Sequence, residues 1–163
     1  MSQPIITTTT ISSIKIISTC GLGLLAGFTL ASPVLITPTL DALSSKSTAS
    51  VLSTAQGKSW RAVSGCAALV SAMMGLSFMG GATAGGRHPY LMYVMAGSAA
   101  AGLAAEVLVQ GEVRGIKGLV EQDGNGEAVV RGFVRLRRAG ALVAGLFTAA
   151  FVVSVVGNYG DFY

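Results

Sequence analysis

An all-α membrane protein is the fold class this sequence predicts: a bundle of four transmembrane helices, with helices three and four extending as a cytosolic hairpin. Two observations carry the prediction. Four runs, Ile16–Leu40, Ala62–Gly86, His88–Ala105 and Ala139–Gly160, contain no charged residue. Each is about long enough to cross the ~30 Å hydrocarbon layer as a helix. Charged residues make up only 11% of the chain, whereas a soluble domain carries about 25%. In lipid every backbone donor and acceptor needs an internal partner, which leaves helices or a closed barrel. Barrel strands would alternate with a period of two, and these runs do not.

Span one is expected over residues 16–38. Pro33 and Pro38 lack the amide proton of a helical ladder, so one should kink the helix and the other end it. Gly23 and Gly27 form a GxxxG pair that lets a neighbouring backbone approach. Packing within the bundle is the simpler account of that pair, and an oligomer face stays open. The connection 39–59 is rich in Ser, Thr and Ala, with Leu40, Leu43, Val51 and Leu52 placed for a short interfacial turn.

Trp60 and Arg61 open span two, residues 60–80, as an aromatic and a cation at headgroup depth. A glycine-rich turn follows, and Pro89 starts span three, residues 89–108, with Tyr90 and Tyr93 at the interface. Helical character continues into the connection 109–138, where Val113, Ile116, Leu119 and Val120 share a face. Asp123-Gly124-Asn125-Gly126 turns the chain back. Span four, residues 139–157, carries small residues on its Gly140 side.

The spans and connections use residues 1–163 as one domain. Mean hydropathy of +0.66 and 22 glycines fit closely packed membrane helices. Cys20 and Cys66 fall inside spans, so a small-residue packing role is expected and a disulfide framework is not. Met1–Ile14 has neither the basic start of a secretory signal nor the arginines of a mitochondrial presequence, and insertion without cleavage is expected.

Charge predicts orientation. Both termini share a side with the short second connection, which carries Lys15 and Arg87. The opposite side carries Lys46, Lys58, Arg61, Arg114, Lys117, Arg131, Arg135, Arg137 and Arg138. The positive-inside bias therefore places connections one and three in the cytosol. A net charge of +4 located in these connections points to anionic membrane lipids as partners, not to nucleic acid.

Catalytic chemistry finds little to stand on. No span carries an ionisable residue away from its ends, and Glu106 lies near the end of span three, where it can reach water. His88 is the only histidine and has no carboxylate, cysteine or second histidine near it in sequence. Asp123–Glu127 resembles the start of a calcium loop, but Ala128 stands at the sixth position and Val134 at the twelfth. No catalytic, cofactor-binding or metal-binding residue is predicted. Phe133-Val134-Arg135-Leu136 and Trp60-Arg61-Ala62-Val63 have the aromatic-to-aliphatic spacing that fills two pockets in β-strand addition. Their basic neighbours and helical surroundings favour ordinary amphipathic residues instead. Candidate contacts for a partner or lipid are Arg131, Phe133, Arg135, Leu136, Arg137 and Arg138.

Three segments carry a resemblance: Ile14-Lys15-Ile16 leading into Gly21–Gly27, the element Arg87-His88-Pro89-Tyr90-Leu91-Met92-Tyr93, and the ending Gly157-Asn158-Tyr159-Gly160. Together they resemble the fungal autophagy-related protein 33 family. The most specific residues are Arg87, His88, Pro89, Tyr90, Leu91 and Tyr93. The resemblance implies a four-span protein of the mitochondrial outer membrane, where the orientation expected from the charge bias puts both termini on the intermembrane-space side. It also implies a non-enzymatic role in selective autophagy of mitochondria, with autophagy or outer-membrane proteins as partners. The third connection departs from the family. It is short and basic here, and in the yeast member it is longer and rich in Ser and acidic residues.

Two other readings stay open. A small membrane oxygenase of the anthrone-oxygenase-like kind shares the four spans, the length and the Trp at the second span, and would have only His88 and the tyrosines for a polar pocket. A structural subunit of a larger membrane complex would pack through its glycine faces.

Overall fold

Apolar runs in lipid can satisfy their backbone only internally, and here they do so as long helices. The computed structural model describes residues 8–40, 46–81, 88–122 and 126–160, and apart from His88 and Gln122 these are helical. The elements are α1 (Thr8–Leu40), α2 (Lys46–Gly81), α3 (Pro89–Ala104), a π-helical turn (Ala105–Val109), α4 (Gln110–Glu121) and α5 (Gly126–Gly160). The α3, π and α4 segments form one continuous rod. Four stretches, Thr9–Ser32, Ala49–Gly80, Pro89–Glu121 and Gly126–Gly160, are long and apolar enough to cross a membrane. The chain is a multi-pass membrane protein.

The helices close a ring in which α1 packs on α2 and α5, and α3 packs on α2 and α5. Its polarity suits a lipid solvent. Leu24, Leu69, Met79, Leu103, Val107 and Val156 face outward, while Ala67, Ala101, Ala105, Ala144 and the hydroxyls of Thr29, Ser77 and Ser98 lie inside. Outward apolar surface is already solvated by acyl chains, so close packing of small residues holds the bundle together. Gly102 shows the tolerance: a Cβ there would lie 2.9 Å from the Cβ of Ala67, so α2 and α3 meet at this spacing only with glycine. Ser71 and Ser98 join the same two helices through hydroxyls 2.7 Å apart.

The rods are longer than the spans predicted from sequence. The 35 residues of α5 rise to roughly 50 Å, well beyond the ~30 Å hydrocarbon layer. The excess lies in the predicted hairpin, where Val113, Ile116 and Val120 of α4 are buried with Val129, Phe133 and Leu136 of α5. Gly132 is the contact point, since a Cβ there would lie 2.8 Å from Cγ1 of Ile116.

The expected first connection shrinks, because α1 runs past Pro33 and Pro38 to Leu40 and α2 already starts at Lys46. Its first turns bury Ala49, Ser53 and Gly57 on the side that meets α4. Gly57 makes this possible: a Cβ would meet Cγ1 of Val113 at 3.2 Å, and its carbonyl accepts from Gln110 Nε2 at 2.8 Å. The Trp60 side chain consequently faces the interior of the bundle and not its surroundings. It lies mid-helix, 1% exposed, and donates through Nε1 to Gln56 Oε1 at 3.0 Å.

The π turn explains how one rod serves both the membrane core and the hairpin. In an unbroken α-helix the twelve residues from Ala101 to Val113 would turn through about 1,200°, leaving Val113 about 120° off the buried stripe. A π turn absorbs one extra residue and brings Val113 back to within about 20°. Leu91, Val94 and Ala101 on one side of the turn and Val113, Ile116 and Val120 on the other therefore join a single core.

Candidate functional site

Polar and charged groups concentrate at the two ends of the bundle. At the hairpin end, burying the stripe of α4 against α5 turns the remaining faces outward. Arg131, Arg135 and Arg138 are exposed there on α5, with Arg114 on α4 and Lys58 and Arg61 on α2. Arg137 and Lys117 are half-buried. Glu112 and Glu121 of α4 share this end, and two further acids approach the cations at long range, Glu106 Oε1 3.6 Å from Arg114 and Glu127 Oε1 3.9 Å from Arg131. Pairs this exposed contribute roughly 0–1 kcal/mol each and leave the guanidinium groups free to exchange partners. Between α4 and α5, Glu112, Gly115, Leu119, Ala128, Arg131 and Arg135 border an open groove of about 420 Å³. This end can attract an acidic surface, and its helical frame fixes the spacing of the arginines.

The predicted contact residues separate in the structure. Arg131, Arg135 and Arg138 are surface groups, but Phe133 and Leu136 are core residues with 0% and 1% exposure. Their three-residue spacing is that of one helix face, so the segment is not an extended strand ready to pair with another. Trp60 and Val63 are buried for the same reason.

At the opposite end, the three segments that carry the family resemblance meet around the ring of Tyr90. Its hydroxyl donates to Asn158 Oδ1 at 2.9 Å, and Asn158 Nδ2 donates to Thr19 Oγ1 at 2.7 Å. Thr19 donates its own proton to the Lys15 carbonyl at 2.9 Å. The Ser154 hydroxyl, 2.6 Å from Thr19 Oγ1, must then be the donor of that pair. Lys15 Nζ lies 5.6 Å from the centre of the Tyr90 ring, within cation–π range. Gly157 faces the ring so closely that a Cβ would fall on it. The cluster ties α1, α3 and α5 together with uncharged hydrogen bonds and one cation.

The other motif residues take different places. His88 is the exposed N-cap residue of α3, Pro89 follows at the helix start, Leu91 is buried, and Tyr93 is exposed toward the lipid. The His88 ring lies 6.0 Å from that of Tyr90. Arg87 lies outside the described residues, as does the Asp123–Asn125 part of the hairpin turn. Among the described residues no group of three His, Cys, Asp or Glu side chains could hold a metal ion.

Two packing expectations need correction. Gly23 meets the Phe151 ring, with a Cβ placed 3.0 Å from Cε2, but Gly27 has nothing within 4 Å. The GxxxG pair therefore does not act as one packing face within the chain. Cys20 and Cys66 are exposed rather than packed, since both lie on the outer sides of α1 and α2.

Sequence reasoning missed Gln56, Gln110, Thr19 and Asn158, which make interhelical hydrogen bonds beside the Ser71–Ser98 pair; Gln56 does so by accepting from the Ser32 hydroxyl of α1 at 3.3 Å. Their signal was available as single polar residues in apolar context, one helical turn from another hydrogen-bonding residue in the cases of Gln56 with Trp60 and Asn158 with Ser154. Compared with protein-family models, curated proteins and solved structures, the chain matches none of them.

Proposed function

We propose that this chain is a non-enzymatic membrane scaffold that presents its basic helical hairpin to the cytosol as a docking surface for acidic partners or anionic lipid. The observation that supports this most is the set of exposed arginines, Arg131, Arg135 and Arg138, held on a helix whose other face is core. A rigid display of this kind costs little side-chain ordering beyond the arginines themselves. The positive-inside bias supports the cytosolic placement. The resemblance supports the setting: the mitochondrial outer membrane, and selective autophagy of mitochondria.

The test at the surface uses full-length protein in nanodiscs of neutral lipid, captured by vesicles containing an anionic lipid. Replacing Arg131, Arg135, Arg137 and Arg138 by Gln should weaken capture at least tenfold at low salt, and added salt should abolish the difference. Equal capture by the variant excludes the hairpin as the contact. In cells, mitophagy flux in a deletion strain is expected to fall, with the tagged protein on mitochondria. Normal flux together with another location removes the autophagy reading.

A further inference from the structure

The open groove of about 420 Å³ between α4 and α5 has two unlike walls. The α4 wall holds Glu112, Gly115 and Leu119, and the α5 wall holds Ala128, Arg131 and Arg135. Ile116, 1% exposed, and Gly132 close the floor, where a Cβ on Gly132 would meet Cγ1 of Ile116 at 2.8 Å. Gly115 has nothing within 4 Å of its Cβ position, so the α4 wall is open at its middle. Along α5 the groove runs from Arg135 back to Ala128, toward the hairpin turn and away from the charge-free run that starts at Ala139. That is about 10 Å of helix at 1.5 Å per residue.

The cations of the α5 wall are not neutralised across the groove. Glu112 and Arg135 both line it, and among the described residues neither has an ion-pair partner. Arg131 reaches Glu127 of its own helix, and only at 3.9 Å. Arg131 and Arg135 are one helical turn apart, so they stand on one side of the groove about 6 Å from each other along the axis. An occupant that brings two acids at that spacing gains charge-assisted hydrogen bonds to both. The α4 wall suits small or apolar side chains instead, since Gly115 offers space and Leu119 a half-buried apolar surface.

We infer that this groove receives an acidic amphipathic helix of a partner protein, with two carboxylates one turn apart against Arg131 and Arg135 and small side chains over Gly115. The inference rests on the hairpin being a docking surface, and gives that surface its partner. The lining residues all lie in α4 and α5, so an extended segment finds no strand edge to pair with. Its own N–H and C=O groups would lose water against the apolar floor. A helix arrives with its backbone bonds already made, and lays one face into the groove. Anionic lipid matches the arginines, but a headgroup has no apolar face for Leu119 and its acyl chains stay in the bilayer. A second copy of this chain would bring the same excess of cations, Arg114 and Lys117 among them.

The experiment uses the full chain in nanodiscs of neutral lipid and a fluorescent peptide of alanine, leucine and glutamate with its acids on one face. The peptide has about 15 residues and is stapled, because a free helix of that length is marginal in water. Binding is read as fluorescence anisotropy. A control peptide of the same charge with two central prolines should bind about tenfold more weakly. Gly115→Leu, which fills the groove without altering charge, should weaken binding of the helix about tenfold, and Ala128→Leu on the opposite wall should do the same. Capture by anionic vesicles should fall far less than peptide binding in both variants. Gly145→Leu, outside the groove and in open space, should leave peptide binding unchanged. Unfolding midpoints show which variants keep the bundle, and filling positions on two helices keep the test decisive if one does not fold. Equal binding of the two peptides, or an affinity indifferent to the filling changes in folded protein, would overturn the inference. So would a dimer that Gly115→Leu dissociates, or vesicle capture that falls as far as peptide binding. Those outcomes leave the basic surface standing. Failure of the surface itself reads differently: peptide and vesicles would both bind undiminished after Arg131→Gln with Arg135→Gln.

Discussion

At Gly157 one hydrogen atom decides whether α5 can pass the Tyr90 ring. A methyl group there falls on the ring, which must swing away and give up its bond to Asn158. Gly157→Ala should therefore lower bundle stability by about 1–3 kcal/mol. Gly27→Ala, with open space around it, should be neutral or stabilise by up to about 1 kcal/mol through helix propensity. Thermal unfolding in mild detergent separates the two, and equal effects would mean that the ring contact carries no weight. Both glycines looked alike in the sequence. What distinguishes them is which neighbour each faces, and that depends on the azimuth of the whole helix. The same limit applied to Trp60 and Phe133. An aromatic beside arginine has the same signature at a membrane surface as in the core of a projecting bundle.

For elements, the decisive feature is the π turn between α3 and α4. It joins two stretches of helix whose buried stripes would otherwise point about 120° apart. Removing one residue inside the turn, for example Val107, which is lipid-facing, should convert it to α-helix and preserve both stripes. Removing the exposed Gly115 of α4 should rotate Ile116 and Val120 by about 100° and unseat the hairpin. Limited proteolysis would read this directly: the first deletion is expected to keep the hairpin resistant and the second to open it. Periodicity made the faces of α3 and α4 legible one by one, because each repeats at three to four residues. The early start of α2 was not legible. Its buried stripe is made of Ala49, Ser53 and Gly57, which leave no apolar signal although they pack as tightly as large residues would.

The whole molecule was the most legible level, since four charge-free runs specify four rods whatever their details. Its orientation rests on the uneven distribution of cations and can be tested with single cysteines. Cys20 and Cys66 face outward, so replacing both by Ala should leave the bundle intact. In that background, on the proposed placement in the mitochondrial outer membrane, Gln122→Cys at the hairpin end should react with an impermeant maleimide added to intact mitochondria. Tyr159→Cys should react only after the outer membrane is ruptured. The reverse pattern would falsify the cytosolic placement of the hairpin.

The rise of α5 also sets a reach. Arg131 and Arg138 stand seven residues apart on one helix, about 10 Å if the rod is near the membrane normal. That separation is about one Debye length at 0.1 M salt. With the hairpin projecting from the membrane as proposed, Arg138 at its base stays within the field of the molecule's own membrane and Arg131 stands at the edge of that field. Ionic strength therefore divides the arginines into two populations: a lower set held by the lipids beneath it, and an upper set free to answer charge on an approaching surface.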